Sequence, residues 1–251
     1  MRDWEQEIQG RVAFIRRILE EAGAEGVVFG NSGGKDCALA GILCRKACDN
    51  VLSVIMPCGS KQNYGSDRED ALAVAAQYDI ATVTVDLTEA RGVLIAEAEK
   101  AGPLNAMAVN NIAPRLRMNA LYAIAQSRRS LVAGTGNRSE RYMGYFTKWG
   151  DGAYDFNPIG DLTVGEIYGF LRHLGAPESI IGKAPSAGLY DGQTDEKDMG
   201  VTYGAIDRFL LEGTGEVADL AVIARYHSAS MHKREQPQIY GLNIDNLETN
   251  S

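Results

Sequence analysis

GVVFGNSGGKDCALAGIL, residues 26–43, carries the reading of the fold. A short apolar run, Val27-Val28-Phe29, breaks into Gly30-Asn31-Ser32-Gly33-Gly34, and after Lys35 and Asp36 an apolar stretch of helical length begins. A strand that turns through glycines into a helix lets backbone N–H groups approach an anion closely, and the helix dipole adds partial positive charge. The stretch predicts an anion-holding loop at the carboxyl end of a strand.

The same rhythm recurs along the chain. Strands are expected at 27–31, 51–56, 81–86 and 130–134, with helices at 36–48, 66–78 and 114–129. Short β-rich runs with almost no polar alternation, each followed by a helix, imply parallel strands covered on both faces. Trp4, Ile8, Val12, Ile15, Leu19 and Ala22 recur at helical spacing, so an amphipathic helix opens the chain and ends near Gly23. Pro114 belongs in the first turn of its helix, where its missing N–H costs nothing. Beyond residue 150 the expectation is helical, at 163–174, 195–199, 202–212 and 216–230, followed by an irregular tail. The fold class is thus α/β, a doubly wound parallel sheet flanked by helices with a helical C-terminal part, in one domain over residues 1–251.

A net charge of −8 weighs against nonspecific nucleic-acid or membrane binding, because there is no excess of lysine and arginine to neutralise phosphates. No apolar run reaches the ~18 residues that span a bilayer. The polar N-terminus lacks the pattern of a secretory signal. Cys37, Cys44, Cys48 and Cys58 show no zinc-ligand spacing and read as reduced, packed thiols, the first three on a shared helix face, so a cytoplasmic location is expected.

The opening loop fails two phosphate-loop templates. A Walker A motif ending at Lys35 needs glycine at Phe29 and a hydroxyl residue at Asp36, and the dinucleotide fingerprint needs glycine at Ser32. What remains is Ser-Gly-Gly-Lys-Asp-Cys. A carboxylate beside phosphates is repulsive unless a divalent cation lies between them, so Asp36 predicts magnesium. The arrangement resembles the SGGxD[ST] pyrophosphate loop of the ATP pyrophosphatases, enzymes that cleave ATP to AMP and pyrophosphate. Cys37 stands where that loop usually has a hydroxyl residue.

Further stretches narrow the resemblance. Ala133-Gly134-Thr135-Gly136-Asn137-Arg138-Ser139-Glu140 precedes Gly144-Tyr145-Phe146-Thr147-Lys148-Trp149-Gly150-Asp151-Gly152, then Asp155-Phe156-Asn157-Pro158-Ile159, Pro185-Ser186-Ala187-Gly188-Leu189 and Gln193-Thr194-Asp195-Glu196. Together with Asn111-Ile112, Arg115-x-Arg117-Met118 and His232-Lys233-Arg234 these resemble the NAD synthetase family over about residues 26–238. The resemblance implies an adenine nucleotide alpha-hydrolase-like, Rossmann-like fold. It also implies adenylation of deamido-NAD by ATP, followed by displacement of AMP by ammonia.

By that resemblance Gly30, Asn31, Ser32, Gly33, Gly34, Lys35, Asp36, Cys37, Thr135 and Ser186 contact ATP, and Asp36 and Glu140 share Mg2+. Arg115, Lys148, Asp155, His232 and Lys233 match positions that bind deamido-NAD. Each has a plainer reading: a solvated helix charge for Arg115, a loop ion pair for Lys148 and Asp155, and a basic patch on a flexible tail for His232 and Lys233. An ordered tail would shield the adenylate from water. Because ammonia near neutral pH is mostly ammonium, a proton acceptor is needed; Asp151 is the first candidate and Asp155 the second, although Asp151 could instead only stabilise a glycine turn.

Where the family usually carries an ATP-contacting lysine, this chain has Asp161-Leu162-Thr163-Val164. Lys35 either supplies that positive charge from the pyrophosphate loop or points into solvent. Glutamine-using family members carry a large additional amidase domain for which 251 residues leave no room, so free ammonia, or ammonia delivered by a separate protein, is the expected nitrogen source, and the resemblance implies a homodimer. The alternatives are a tRNA-thiolating relative and a catalytically degenerate nucleotide-binding regulator.

Overall fold

A computed structural model describes residues 2–59, 64–182 and 194–240. The first helix, α1 (Trp4–Ala22), starts at Asp3, whose carboxylate accepts from the Glu5 and Gln6 N–H groups, and stops at Gly23 in the left-handed conformation. Then follow β1 (Gly26–Gly30), α2 (Lys35–Ala47), β2 (Val51–Ile55), α3 (Ser66–Gln77) and β3 (Ala81–Thr84). The chain continues through α4 (Thr88–Ala98), a 3-10 turn, α5 (Ala106–Asn110), α6 (Ile112–Ser127) and β4 (Ser130–Ala133).

The four described strands form one parallel sheet in the order β3-β2-β1-β4. β1 is central and its side chains divide between two layers. Val27 and Phe29 pack with α1 and α2, whereas Val28 joins Val54, Val132 and Ala125 of α6 on the opposite face. Burial on both sides explains why the run reads as continuous rather than alternating. α2 lies deep between sheet and helices, with Ala38 through Cys44 all buried.

The C-terminal part comprises α7 (Arg138–Met143), α8 (Val164–Leu174), α9 (Glu178–Ile181), α10 (Asp195–Met199), α11 (Tyr203–Glu212), α12 (Val217–Ala229) and α13 (Met231–Arg234). Met143, Val164, Met199, Val201, Tyr203, Ile206 and Ile223 give it a core of its own.

Several expectations need correction. β3 ends at Thr84 instead of residue 86, and it lies at the sheet edge with Val83 39% exposed, so it is not covered on both faces. The stretch 88–110 holds α4 and α5, which the sequence reading left without structure. Cys48 caps α2 from outside the helix and does not continue the face of Cys37 and Cys44. A strand-like contact recurs after residue 150, where Phe156 bridges Ala133 in parallel sense. The four cysteines are free thiols, as expected. None of the described helices is long and apolar enough to cross a membrane.

Candidate active site

From β1 the chain winds outward to β2 and β3, then returns to β4 on the other side of β1, so a crevice opens beyond the carboxyl ends of β1 and β4. A cavity of about 950 Å³ fills it, lined by Ser32, Lys35, Asp36, Thr135, Glu140 and Asp151 among others. Residues from both expected loops therefore face one space.

Asn31 shapes the first loop. Its buried Nδ2 donates to Ser53 Oγ (3.0 Å) and the Ala71 carbonyl (3.2 Å), while Oδ1 accepts from the Gly33 N–H (3.1 Å). Gly33 turns the chain at φ +73°, and a Cβ there would lie 2.1 Å from the Asp67 carbonyl oxygen. Gly34 is the N-cap of α2 and has no side chain to cap it, which leaves the first-turn N–H groups available to an anion. The Cys37 thiol donates to the Gly34 carbonyl (3.1 Å) and Asn31 Oδ1 (3.3 Å). Burial pushes its pKa up, so it closes the loop as a neutral donor.

Asp36 and Glu140 are joined by Asn137, which caps α7. Asn137 Nδ2 donates to Asp36 Oδ1 at 3.1 Å, and its backbone N–H donates to Glu140 Oε2 at 3.2 Å. In return the Glu140 N–H donates to Asn137 Oδ1 at 2.9 Å, completing a capping box. Burial first, and the Asp36 charge second, hold the Glu140 carboxyl well above the usual glutamate value. Two hard carboxylates that both bond to Asn137 on the cavity lining suit Mg2+, which takes one or two protein carboxylates and completes its shell with water and phosphate. Among the described residues no three His, Cys, Asp or Glu side chains form a metal cage.

Lys35 does not point into solvent: it is 6% exposed, with Nζ 2.6 Å from Asp36 Oδ2. The rings of Tyr203 and Tyr168 lie 5.8 and 6.0 Å from the ammonium. Burial acts against the charge, but Asp36 and Glu140 outweigh it and hold the ammonium protonated. Val164 is the first residue of α8 behind the Thr163/Glu166 capping box and packs in the C-terminal core, 4% exposed.

The substrate candidates divide. Arg115 Nε donates to the Lys148 carbonyl, Lys148 Nζ donates to the His232 carbonyl, and Lys233 Nζ donates to the Gly144 and Phe146 carbonyls at 2.8 Å. These four thus gather on one rim, where α13 docks on the 144–148 loop; of them Lys233 lines the cavity itself. Asp155 stands apart, with Oδ2 accepting the Val132 N–H (2.7 Å) and Oδ1 the Tyr122 hydroxyl (3.2 Å). Instead of pairing with Lys148 it ties its loop to the free edge of β4.

Asp151 lines the cavity from a turn in which Trp149 adopts φ +62°. The residue is exposed, and its carboxylate accepts the Thr147 N–H at 2.9 Å. Desolvation raises its pKa, against the backbone donors and the nearby Lys233 charge. Ser186, with Pro185–Leu189, lies outside the described residues.

The sequence reading gave no role to Asn137, Tyr168 or Tyr203. Asn137 had a signal, the N-x-x-E capping pattern; the tyrosines, far from Lys35 in the chain, had none.

Residues 7–237 match the family model described as NAD synthase. An NH(3)-dependent NAD(+) synthetase from Carboxydothermus hydrogenoformans is 44% identical over 240 residues, which is 94% of this chain and 98% of that relative. Among solved structures, an NMN synthetase from Francisella tularensis superposes with a TM-score of 0.91 at 35% identity, covering 96% of this chain and all of its own. The NH3-dependent NAD synthetase from Campylobacter jejuni superposes at 0.77 with 29% identity, covering 95% and 99%. On the match to its model and the identity to its members, this chain belongs to the NAD synthase family.

Proposed function

We propose that the chain is an ammonia-dependent ligase that adenylates the nicotinate carboxylate of deamido-NAD with ATP, releasing pyrophosphate, and then lets ammonia displace AMP to give NAD+. The observation that carries this reading is the convergence of Asp36 and Glu140 on Asn137 at the mouth of the glycine loop. Mg2+ held there would neutralise charge on the phosphate oxygens during adenylyl transfer. The N–H groups at the start of α2 receive the departing pyrophosphate, Thr135 and Ser186 hold ATP, and Lys35 supplies positive charge. The rim of Arg115, Lys148, His232 and Lys233 holds the dinucleotide. Asp155 positions the loop between them.

In the second half-reaction Asp151 takes a proton from ammonium. The freed nitrogen lone pair attacks the acyl carbon, the C–O bond to AMP breaks with its electron pair leaving on phosphate, and the remaining surplus proton goes to solvent. A raised pKa makes Asp151 a stronger base than an ordinary aspartate. Because the carboxylate form is required, kcat should fall as pH drops through that raised value. Asp151→Asn should lower kcat by ~10²-fold or more and flatten this acid limb. Unchanged turnover and an unchanged limb would leave Asp151 with the turn alone.

The superposition on an NMN synthetase supports a second reading, in which the acceptor is the nicotinate mononucleotide. Purified protein with ATP, Mg2+ and ammonium decides. We expect equal amounts of NAD+ and AMP from deamido-NAD, at a kcat/KM at least ~10-fold above that for the mononucleotide, a gap of about 1.4 kcal/mol. The reverse ratio would select the mononucleotide, and nucleotide binding without turnover would reject both.

A homodimer and a single functional unit in the cytoplasm complete the proposal. α4 and α5 bury none of their residues and expose Val93 (58%), Leu94 (43%) and Met107 (73%), a face suited to a second copy. Val93→Glu with Leu94→Glu should give monomers by analytical ultracentrifugation and raise KM for the dinucleotide. A double variant that remains dimeric would exclude this face.

A further inference from the structure

Asp36 already holds a cation, and it belongs to the protein. Lys35 Nζ bonds Asp36 Oδ2 at 2.6 Å while Asn137 takes Oδ1, so both oxygens of Asp36 are engaged. Glu140 gives Oε2 to the Asn137 N–H and feels the Lys35 charge as well. Tyr168 and Tyr203 wall the ammonium in, and only 6% of Lys35 is exposed. A lysine at the first position of α2 therefore does what a metal ion would do for Asp36 and Glu140: it offsets their repulsion in a poorly hydrated space.

We propose that the Lys35 ammonium is a tethered counter-cation which a divalent ion must displace, so that ion and nucleotide enter as a pair. The inference rests on reading Asp36 and Glu140 as the magnesium carboxylates. A divalent ion on Asp36 would compete with Lys35, whose ammonium holds Oδ2. Displacing a buried ammonium without giving it a new anion leaves a charge unpaired, which is strongly unfavourable. Lys35 lines the same cavity as Ser32 and Thr135, so a triphosphate lying there offers it that anion. The ion alone should then bind weakly, and ATP should strengthen it. By linkage the ion strengthens ATP by the same factor.

The test reads binding, not turnover. Mn2+ is titrated by electron paramagnetic resonance into nucleotide-free protein, then again with a non-hydrolysable ATP analogue. Lys35→Met should bind Mn2+ alone at least ~10-fold more tightly than the parent, because a competing positive charge a few ångströms away is gone, and it should lose most of the gain from the analogue. Lys35→Arg keeps the charge and should keep weak binding. Equal Mn2+ affinity in parent and Lys35→Met would overturn the inference, provided that Asp36→Asn and Glu140→Gln abolish binding. If those two variants bind Mn2+ normally, the carboxylate reading itself fails. Should Lys35→Met not fold, ¹⁵N-lysine spectra of the parent protein decide. The Lys35 ammonium signal should be protected from exchange in ion-free protein and shift when Mg2+ and the analogue are added together; an unshifted signal would contradict displacement.

Discussion

Glu140→Gln should lower kcat/KM by ~10³-fold or more, equivalent to about 4 kcal/mol of transition-state stabilisation, while making the ion-free protein more stable. The two effects share one cause. Glu140 is a second carboxylate that, with Asp36, bonds to Asn137, and partial burial together with the Asp36 charge raises its pKa. A glutamine carbonyl can still accept the Asn137 N–H, so the capping box of α7 survives with the charge removed. Relief of about 1 kcal/mol would raise Tm by roughly 2–4 °C for a chain of this size. The gain should shrink as pH falls, because a protonated glutamate is itself neutral. Calorimetry without metal or nucleotide, paired with steady-state kinetics, checks both halves. Full activity in Glu140→Gln would remove the residue from the site.

Gly33→Ala should be nearly as damaging, by a different route. At φ +73° an L side chain costs about 1–2 kcal/mol. Its methyl carbon would also sit 2.1 Å from the Asp67 carbonyl oxygen, which is backbone and cannot rotate away. We expect a loss of ~2–4 kcal/mol, with Tm lower by roughly 5–15 °C. ATP binding should weaken at least ~100-fold, since the displaced loop no longer aims its N–H groups at the phosphates. Gly10→Ala is the control: it lies within α1 with nothing within 4 Å of an added Cβ, so it should stabilise by about 0.5–1 kcal/mol. An alanine at 33 that leaves both Tm and ATP affinity intact would mean that the loop is not held as described.

What could be read in advance follows from how local each signal was. The strand, glycine loop and helix of residues 26–47 were legible because apolar run, turn residues and helix follow one another directly. The stretch 88–110 was opaque because α4 buries no side chain and its N-cap, Leu87, has no capping group. With no apolar stripe facing the core, its hydrophobic residues carry no usable period.

At the site, the residue types were legible but not their engagements. Asp36 was named from its charge beside phosphates and from the resemblance, and Glu140 from the resemblance alone, whereas the environment of Lys35 is assembled from α2, α8 and α11, so its burial could not be read from either neighbour in sequence. The partners of Asp155, the Val132 N–H and the Tyr122 hydroxyl, were equally illegible, because they come from β4 and α6. A side chain's type limits the chemistry it can do; only the fold decides which partner it meets.

The central claim is that two acidic side chains from opposite sides of the crevice grip a single divalent ion against the triphosphate. Anomalous diffraction from crystals soaked with Mn2+ and a non-hydrolysable ATP analogue tests it most directly. The account predicts one strong peak within coordination distance of both the Asp36 and Glu140 carboxylates and of phosphate oxygens. Bound nucleotide with the two carboxylates turned apart and no peak between them would contradict it.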